Sequence, residues 1–179
     1  GGSTGINNVR NNIFANHTST QSGVAKHTAV RTTSGTTFGA AGSVWNYNDY
    51  YVPNATNGPV AITNAADQAT IAAFAAAMTG NAGSNANSIT ADPGFTNATN
   101  LHASTAAVNG VGSMTGITWA ANDIDGQARN TPPDMGADEF TPLTLDLGAL
   151  ALAAPITTGC YTATETVTIT IKNNGIAVV

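Results

Sequence analysis

Half of the acidic side chains of this protein fall in one short stretch near residue 130. Five of the ten Asp and Glu residues of the sequence lie there, at Asp123, Asp125, Asp134, Asp138 and Glu139. Carboxylate oxygens are the hard ligands that Ca²⁺ prefers, and the segment Asp-Ile-Asp-Gly at 123–126 opens like a calcium-binding loop. The stretch lacks the remaining spacing of an EF-hand, so this motif match is partial. Asp123, Asp125 and Asp134 are therefore candidate calcium ligands.

The same stretch has a structural interpretation, which we favour over the calcium site. An Asp-Gly pair is typical of a turn, and Arg129 can pair with a neighbouring carboxylate. On this interpretation Arg129, Asp138 and Glu139 stabilise the end of a domain without a bound metal, and no other cofactor is indicated. The carboxylates that we expect within salt-bridge range of Arg129 are those of Asp123, Asp125 and Asp134.

No pattern of catalytic residues is recognisable in the sequence. The spacing Gly-x-Ser-x-Gly, which marks the nucleophile of many hydrolases, occurs at residues 1–5, but nothing in the sequence pairs its serine with His and Asp as a triad. The histidines at 17, 27 and 102 show no metal-ligand spacing. Lys26, Arg31 and Asp49 are isolated from one another in sequence, and we assign no catalytic role to any residue. The sequence thus leaves enzymatic activity undecided and favours a non-enzymatic function.

The composition indicates an extracellular protein. Only 8% of the 179 residues are charged, with a net charge of −5, whereas ordinary soluble domains carry about 25% charged residues. The polarity comes instead from Thr, Asn and Ser, which favour turns and strand surfaces. The five basic residues are scattered and form no stripe that could neutralise phosphates, so nucleic acid is not an expected partner. No apolar run approaches the ~20 residues of a membrane span.

Short β-prone runs separated by Gly, Asn and Ser dominate the first half of the chain. They cover residues 6–14, 24–30 and 44–52. Pairs of asparagines either stack between successive coils of a solenoid or mark ordinary turns. Residues 64–79 break the pattern, because Ile71, Phe74, Ala75 and Met78 follow helical spacing over about four turns of a ~3.6-residue period. We therefore predict an amphipathic helix that begins near Thr63-Asn64, is stopped by Gly80 and packs on the sheet.

The sequence pattern changes after Pro142 from loop-rich segments to regular alternation of apolar residues. This change predicts a domain boundary near residue 141. Strand-like fragments around Val108 and Ile117 precede the boundary. Beyond it, alternating Leu143, Leu145 and Leu147 predict one strand, and residues 166–171 predict another. The single Cys160 is either a small buried strand residue or half of a disulfide to a residue not in this sequence.

The order of these motifs resembles a known family. Asn11-Asn12-Ile13-Phe14 and the aromatic run at 46–51 come first, and Asn87-Ser88-Ile89-Thr90-Ala91-Asp92-Pro93-Gly94-Phe95 follows the helix. Leu101-His102, Asp123-Ile124-Asp125-Gly126 and the segment 133–140 complete the series. Residues 1–140 are similar to the C-terminal part of right-handed parallel β-helix surface proteins of Bacteroidota-type bacteria, in the pectate-lyase-like superfamily. Residues 141–179 resemble the start of an immunoglobulin-like adhesion module.

The resemblance implies an all-β fold with one helix, in which the end of a parallel β-helix precedes a partial β-sandwich. It also implies a secreted protein of the bacterial cell surface, with a structural or adhesive function in a surface protein or an extracellular filament. The alternatives are the non-catalytic end of a carbohydrate-active β-helix enzyme and a carbohydrate-binding module. The central coils on which enzymes of this fold carry their catalytic residues have no counterpart in the sequence.

The resemblance also predicts contacts at the two ends of the chain. An immunoglobulin-like sandwich needs about seven strands, and residues 141–179 supply two or three. We therefore expect contacts at both ends with other copies of the protein or with further sequence of the same protein. Polysaccharide is a further candidate partner.

Overall fold

The chain forms two compact units, residues 1–140 and 141–179. The computed structural model describes residues 5–18, 26–32, 42–53, 58–78, 84–155, 159, 161, 164–173 and 175. Within these residues the fold is all-β with one α-helix, and the predicted fold class is confirmed at that level. Cys160 and the predicted helix end at Gly80 lie outside the described residues.

Parallel strand pairs build the 1–140 unit. The strands are β1 (Asn8–Arg10), β2 (Ile13–Ala15), β3 (Val30–Thr32), β4 (Val44–Asn46), β5 (Asp49–Tyr51), β6 (Ala61–Thr63) and β7 (Ala66–Gln68). β1 pairs with β4, β2 with β5 and β3 with β6, each in parallel. A further parallel bridge joins Asp49 to Ile89. Each of the three strand pairs therefore joins positions 31 to 36 residues apart in sequence, so that one stretch of chain lies as a layer on another.

Asparagine side chains connect these layers at the bend between paired strands. The backbone N–H and the Nδ2 of Asn12 both donate to Oδ1 of Asn48 at 3.0 Å, across 36 positions of the sequence. Asn48 Nδ2 donates to the carbonyl of Val9 at 2.9 Å. The N–H of Asn48 donates to Ser88 Oγ in the next layer. The asparagine side chains thus satisfy backbone groups where the chain turns between paired strands.

The helix is shorter than its sequence pattern predicts. It spans Ile71–Ala77 (α1), about two turns, rather than residues 64–79. Asn64 and Ala65 adopt φ values of +48° and +64°, because they form the tight connection between β6 and β7, which pair antiparallel. Thr70 is the N-cap, and its Oγ1 accepts the N–H of Ala73. No helix among the described residues has the length and apolar character needed to cross a lipid bilayer.

Two apolar clusters form the core of the 1–140 unit. In the first, Tyr50 stacks on Phe14 with ring centroids 5.5 Å apart and meets the edge of Phe74 at the same separation. Phe74 brings α1 into this cluster, so the prediction that the helix packs on the strands is confirmed. The second cluster surrounds Val108 and Met135, with Ile13 packed against them.

The last part of the unit folds back on the strand that comes first in sequence. Asn11 Nδ2 donates to the carbonyl of Ser113 at 2.9 Å, and the N–H of Gly136 donates to the carbonyl of Asn11 at 2.8 Å. Val108 lies in a 3₁₀ turn at Ala106–Val108, so the strand predicted there is wrong. Asn11, between β1 and β2, thus gains hydrogen-bond partners from Ser113 and Gly136.

The 141–179 unit contains an antiparallel hairpin of β8 (Leu147–Ala154) and β9 (Thr168–Asn173). The first strand begins at Leu147, so the predicted strand over Leu143, Leu145 and Leu147 is placed too early. Cross-strand partners share one face of a sheet, and Ile169 and Ile171 lie opposite Leu152 and Ala149. Thr168, Thr170 and Lys172 alternate onto the other face. The hairpin therefore has one apolar face and one polar face.

Candidate functional site

The turn at residues 122–128 carries the first part of the acidic stretch, and an antiparallel bridge joins its ends. Asp123 organises this turn. Its Oδ1 accepts the N–H of Asp125 at 2.9 Å and the N–H of Gln127 at 2.7 Å. Its Oδ2 accepts the N–H of Glu139 at 3.0 Å. The Asp123 carboxylate thus links the turn 122–128 to the backbone of Glu139.

These contacts also decide the ionisation of Asp123. Burial raises the pKa of its carboxyl, but the three backbone N–H donors and the nearby Arg129 charge outweigh burial. The net pKa lies below the usual value of an aspartate, because hydrogen bonds to the charged form favour that form.

Asp134 is likewise engaged by the backbone. Its side chain is buried, with 1% of the residue exposed. Oδ1 accepts the N–H of Gly110 at 2.6 Å, and Oδ2 accepts the N–H of Phe140 at 2.8 Å. The calcium candidates Asp123, Asp125 and Asp134 therefore do not converge as one site. Among the residues that the structure describes, the acidic and histidine side chains that do converge include only Asp125 of these three.

Arg129 pairs with a different carboxylate from those predicted. Its Nη1 lies 3.5 Å from Glu139 Oε2, with 10% and 4% of the two side chains exposed. Asp123, Asp125 and Asp134 were the predicted partners, and that prediction is wrong. Asp123 and Asp134 instead accept hydrogen bonds from the backbone N–H groups of Glu139 and Phe140, respectively. Arg129 Nη2 instead donates to the carbonyls of Gly136 and Ala137 at 2.9 Å each.

Glu139 completes this arrangement. Its Oε1 accepts the N–H of Asn130 at 3.2 Å, and its Oε2 accepts the N–H of Asp134 at 3.1 Å. Arg129 and Glu139 together hold the loop 130–139 closed through backbone groups. This geometry is what the structural interpretation of the acidic stretch requires.

The side chains that converge are those of His102, Asp125 and Asp138. Each offers one ligand atom, and these atoms all lie within 4.8 Å of one another. His102 Nε2 is 2.8 Å from Asp125 Oδ2, and the two side chains are 45% and 47% exposed. Asp138 is 4% exposed. The trio thus combines the buried carboxylate of Asp138 with the half-exposed side chains of His102 and Asp125.

The three groups influence one another electrostatically. The hydrogen bond with Asp125 raises the pKa of His102, and the charges of Asp138, Asp125 and Asp123 act in the same direction. Burial raises the pKa of the Asp138 carboxyl, which the neighbouring His102 partly offsets. The sequence analysis had set His102 aside, because the three histidines show no metal-ligand spacing. The only sequence signal was its place in the ordered series of motifs.

Asp49 is a second unusual carboxyl, next to Tyr50 in β5 and paired along the strands with Ile13 and Ile89. It is fully buried, and its Oδ1 accepts the N–H of Ala91 at 2.8 Å. Its Oδ2 has no hydrogen-bond partner among the described residues. Burial raises its pKa to about 7, with Asp92 adding to the rise. Lys26 pairs with Asp67, and Arg31 is exposed. Lys26, Arg31 and Asp49, which the sequence analysis considered together, therefore have different environments.

The aromatic run is mostly part of the core. Tyr50 is fully buried, and Trp45 and Tyr47 pack against the two apolar clusters. Tyr51 is half-buried, and its hydroxyl donates to Asp92 Oδ2 at 2.9 Å. It borders a cleft of about 640 Å³ between β5 and the start of α1. The cleft lining includes Tyr51, Val52, Pro53, Thr70, Ile71 and Thr90.

Comparisons of this chain with protein-family models, with curated proteins and with solved structures found no match.

Proposed function

We propose that this chain is a structural and adhesive segment of a secreted cell-surface protein or extracellular filament. Residues 1–140 would be the C-terminal coils of a right-handed parallel β-helix, and residues 141–179 part of an immunoglobulin-like sandwich. The three parallel strand pairs and the asparagine contacts between layers support the first assignment. The low content of charged residues supports a location outside the cell.

The observation that carries the proposal is the apolar face of the β8–β9 hairpin. We define this face by Leu147, Leu152, Ile169 and Ile171, which are 51–59% exposed. Full burial of one such side chain is worth about 1.5–3 kcal/mol. A two-stranded hairpin is marginally stable in water, and it gains stability when its apolar face is covered. Strands from another copy, or from further sequence of the same protein, would provide that cover.

The proposal predicts that the 179-residue chain associates through this face when it is alone. Analytical ultracentrifugation over a range of concentrations measures the mass, and electron microscopy shows whether polymers form. We expect a concentration-dependent increase in mass for the unmodified chain. Ile169→Asp places a charge in the centre of the apolar face and should shift the association to at least tenfold higher concentration.

Thr170→Asp provides the matched control, because it adds the same charge to the same strand on the polar face. We expect Thr170→Asp to associate as the unmodified chain does. A chain that remains monomeric at all concentrations and binds no apolar dye would contradict the proposal. Equal effects of the two substitutions would also contradict it, because the face would then have no special role.

Carbohydrate binding is a second candidate function, favoured by the cleft beside Tyr51. Aromatic faces pack on the apolar faces of sugars, and Thr70 and Thr90 add hydroxyl groups to the lining. Binding to a panel of bacterial and plant polysaccharides tests it. Saturable binding that Tyr51→Ala abolishes and Trp119→Ala leaves intact would support this candidate. Trp119 is a suitable control because it is 80% exposed and is not part of the cleft lining.

A further inference from the structure

Three loops that are distant in sequence bring His102, Asp125 and Asp138 together at the surface of the 1–140 unit. One ligand atom from each lies within 4.8 Å of the other two. We propose that these side chains bind one divalent metal ion of the Zn²⁺ type. This site differs from the calcium ligands that the sequence suggests, since it contains an imidazole and excludes Asp123 and Asp134.

The buried carboxylate of Asp138 is the first reason. Asp138 is 4% exposed, yet no Lys or Arg pairs with it among the described residues. The N–H of Glu139 donates to Asp123 Oδ2 at 3.0 Å and also lies near the Asp138 carboxylate. A desolvated carboxylate is unfavourable unless a cation or several donors compensate it. The Asp138 carboxylate lies beside His102 and Asp125, where a cation held by the three side chains would compensate its burial.

The tautomer of His102 is the second and independent reason. Asn100 Oδ1 accepts the backbone N–H of His102, so it acts as an acceptor, and the ring Nδ1 that contacts it must carry a proton. In a neutral ring the lone pair is then on Nε2, which faces Asp125 Oδ2 at 2.8 Å. Two lone pairs at that distance repel each other unless a positive charge lies between them. A proton or a metal ion fulfils this requirement.

The orientation of His102 also matches that of metal-binding histidines. Such histidines usually donate the other ring N–H to an oxygen outside the metal site, which fixes the ring and increases the basicity of the ligating nitrogen. Asn100 provides that oxygen on Nδ1, and Nε2 remains for the metal. Asn100 is two residues away in the same loop, so the ring orientation is set locally.

Charge around the site favours a cation. Asp123, Asp125 and Asp138 all act electrostatically on His102. The nearby Arg129 directs its guanidinium to Glu139 and to the carbonyls of Gly136 and Ala137. The site therefore keeps a surplus of negative charge among the described residues.

The ligand set selects the class of metal. Calcium takes six to eight oxygen ligands, whereas zinc accepts imidazole nitrogen and carboxylate oxygen in a four-coordinate arrangement. Tetrahedral bonds of about 2.1 Å place ligand atoms about 3.4 Å apart. The His102–Asp125 pair would open slightly to reach that separation and Asp138 would approach, leaving the fourth position for water. The exposure of His102 and Asp125 leaves room for this adjustment.

Isothermal titration of the chelator-treated 179-residue chain with Zn²⁺ tests the proposal. We expect one ion per chain and a higher melting temperature when the ion is bound, because it would link the three loops. His102→Ala should weaken binding at least tenfold. His27→Ala is the matched control, since His27 lies outside the trio, and it should leave the affinity unchanged. The visible absorption of Co²⁺ bound in place of Zn²⁺ should show nitrogen and oxygen coordination that His102→Ala removes.

His102→Ala removes a half-exposed side chain, so the variant should fold, and circular dichroism confirms this. Asp138→Asn is the second variant and should also weaken binding at least tenfold. Failure of the unmodified chain to bind Zn²⁺ would overturn the proposal and leave a proton between His102 and Asp125. Unchanged binding in His102→Ala, or binding of Ca²⁺ in preference to Zn²⁺, would overturn it equally.

Discussion

Asn12 and Asn48, 36 positions apart in sequence, meet through two hydrogen bonds to a single oxygen. Asn48 is fully buried, and its Nδ2 also donates to the carbonyl of Val9 and to the hydroxyl of Tyr50. An asparagine has both donors and acceptors on a short side chain, so it can satisfy the backbone of two layers at once. The contact is therefore central to the stacking of the parallel strands.

Replacement of Asn48 by Ala should destabilise the 1–140 unit by about 2–4 kcal/mol. The substitution removes a hydrogen-bond partner from the N–H of Asn12 and from the carbonyl of Val9, which belong to half-buried residues. A buried polar group that loses its partner costs about 1–3 kcal/mol. Urea unfolding followed by Trp45 fluorescence measures the change. Asn87→Ala removes an exposed asparagine whose side chain makes no such contacts, and it should change stability by less than about 0.5 kcal/mol.

The close approach of Gly136 to the early strands gives a second prediction. Gly136 has a φ of +101°, and a Cβ added there would lie 2.8 Å from Ile13 Cδ1. Gly136→Ala should cost about 2–4 kcal/mol, combining the left-handed backbone with overpacking of the core. Gly126→Ala isolates the backbone contribution, because Gly126 has a φ of +83° with open space around it. It should cost about 1–2 kcal/mol, and an equal loss in both variants would contradict the packing explanation.

Arg129 should be more important than its single ion pair suggests. Its guanidinium bonds two carbonyls as well as Glu139, which is 4% exposed by side chain. Arg129→Ala should lower the free energy of unfolding by about 2–4 kcal/mol, since Glu139 would remain buried without a counter-ion. Arg129→Lys should recover only part of this loss, because Lys lacks the planar fork of donors.

Exposed Arg31 provides the control for Arg129. Arg31→Ala removes the same charge from a solvated position and should change stability by less than about 0.5 kcal/mol. The effect of Arg129→Ala should be the same in calcium and in chelator. A loss that appears only with calcium present would support the calcium interpretation of the acidic stretch instead.

Local sequence patterns predict the strands better than the helix. The runs at 6–14 and 44–52 contain β1, β4, β5 and most of β2, whereas β3 begins at the last residue of the run 24–30. Alternation and β-branched or aromatic residues are properties of a few adjacent residues, so such runs can be recognised locally. The predicted start of the helix was wrong, because Thr63-Asn64 and Thr70 both have residue types that are typical of an N-cap. Pairing of β6 with β7 decides between them, and that pairing is a tertiary contact.

The candidate site was the least predictable part of the protein. Asp125 meets His102, and Arg129 meets Glu139, only because the last 40 residues of the 1–140 unit fold back on themselves. No periodicity links positions 102, 125 and 138. The hydrogen bonds that Asp123 and Asp134 accept from backbone N–H groups are equally invisible in sequence.

The buried carboxyl of Asp49 predicts how the stability of the 1–140 unit depends on pH. Burial raises its pKa from 3.8 to about 7, so the folded protein holds this proton at pH values where the unfolded chain has released it. The contribution to stability is fully present below about pH 4 and is lost as the pH rises to about 7. Three pKa units correspond to about 4 kcal/mol as an upper limit.

Asp49→Asn should remove this pH dependence while keeping most of the native contacts. The amide retains an oxygen that can accept the N–H of Ala91, as Asp49 Oδ1 does, and it has no proton to lose. We therefore expect the variant to equal or exceed the unmodified protein in stability at pH 8, and to lose that advantage near pH 4. Urea unfolding at pH values from 4 to 8 measures both proteins. Asp146→Asn, in the hairpin unit, is the matched control and should follow the unmodified profile. Parallel profiles for Asp49→Asn and the unmodified chain would show that Asp49 stays ionised when buried.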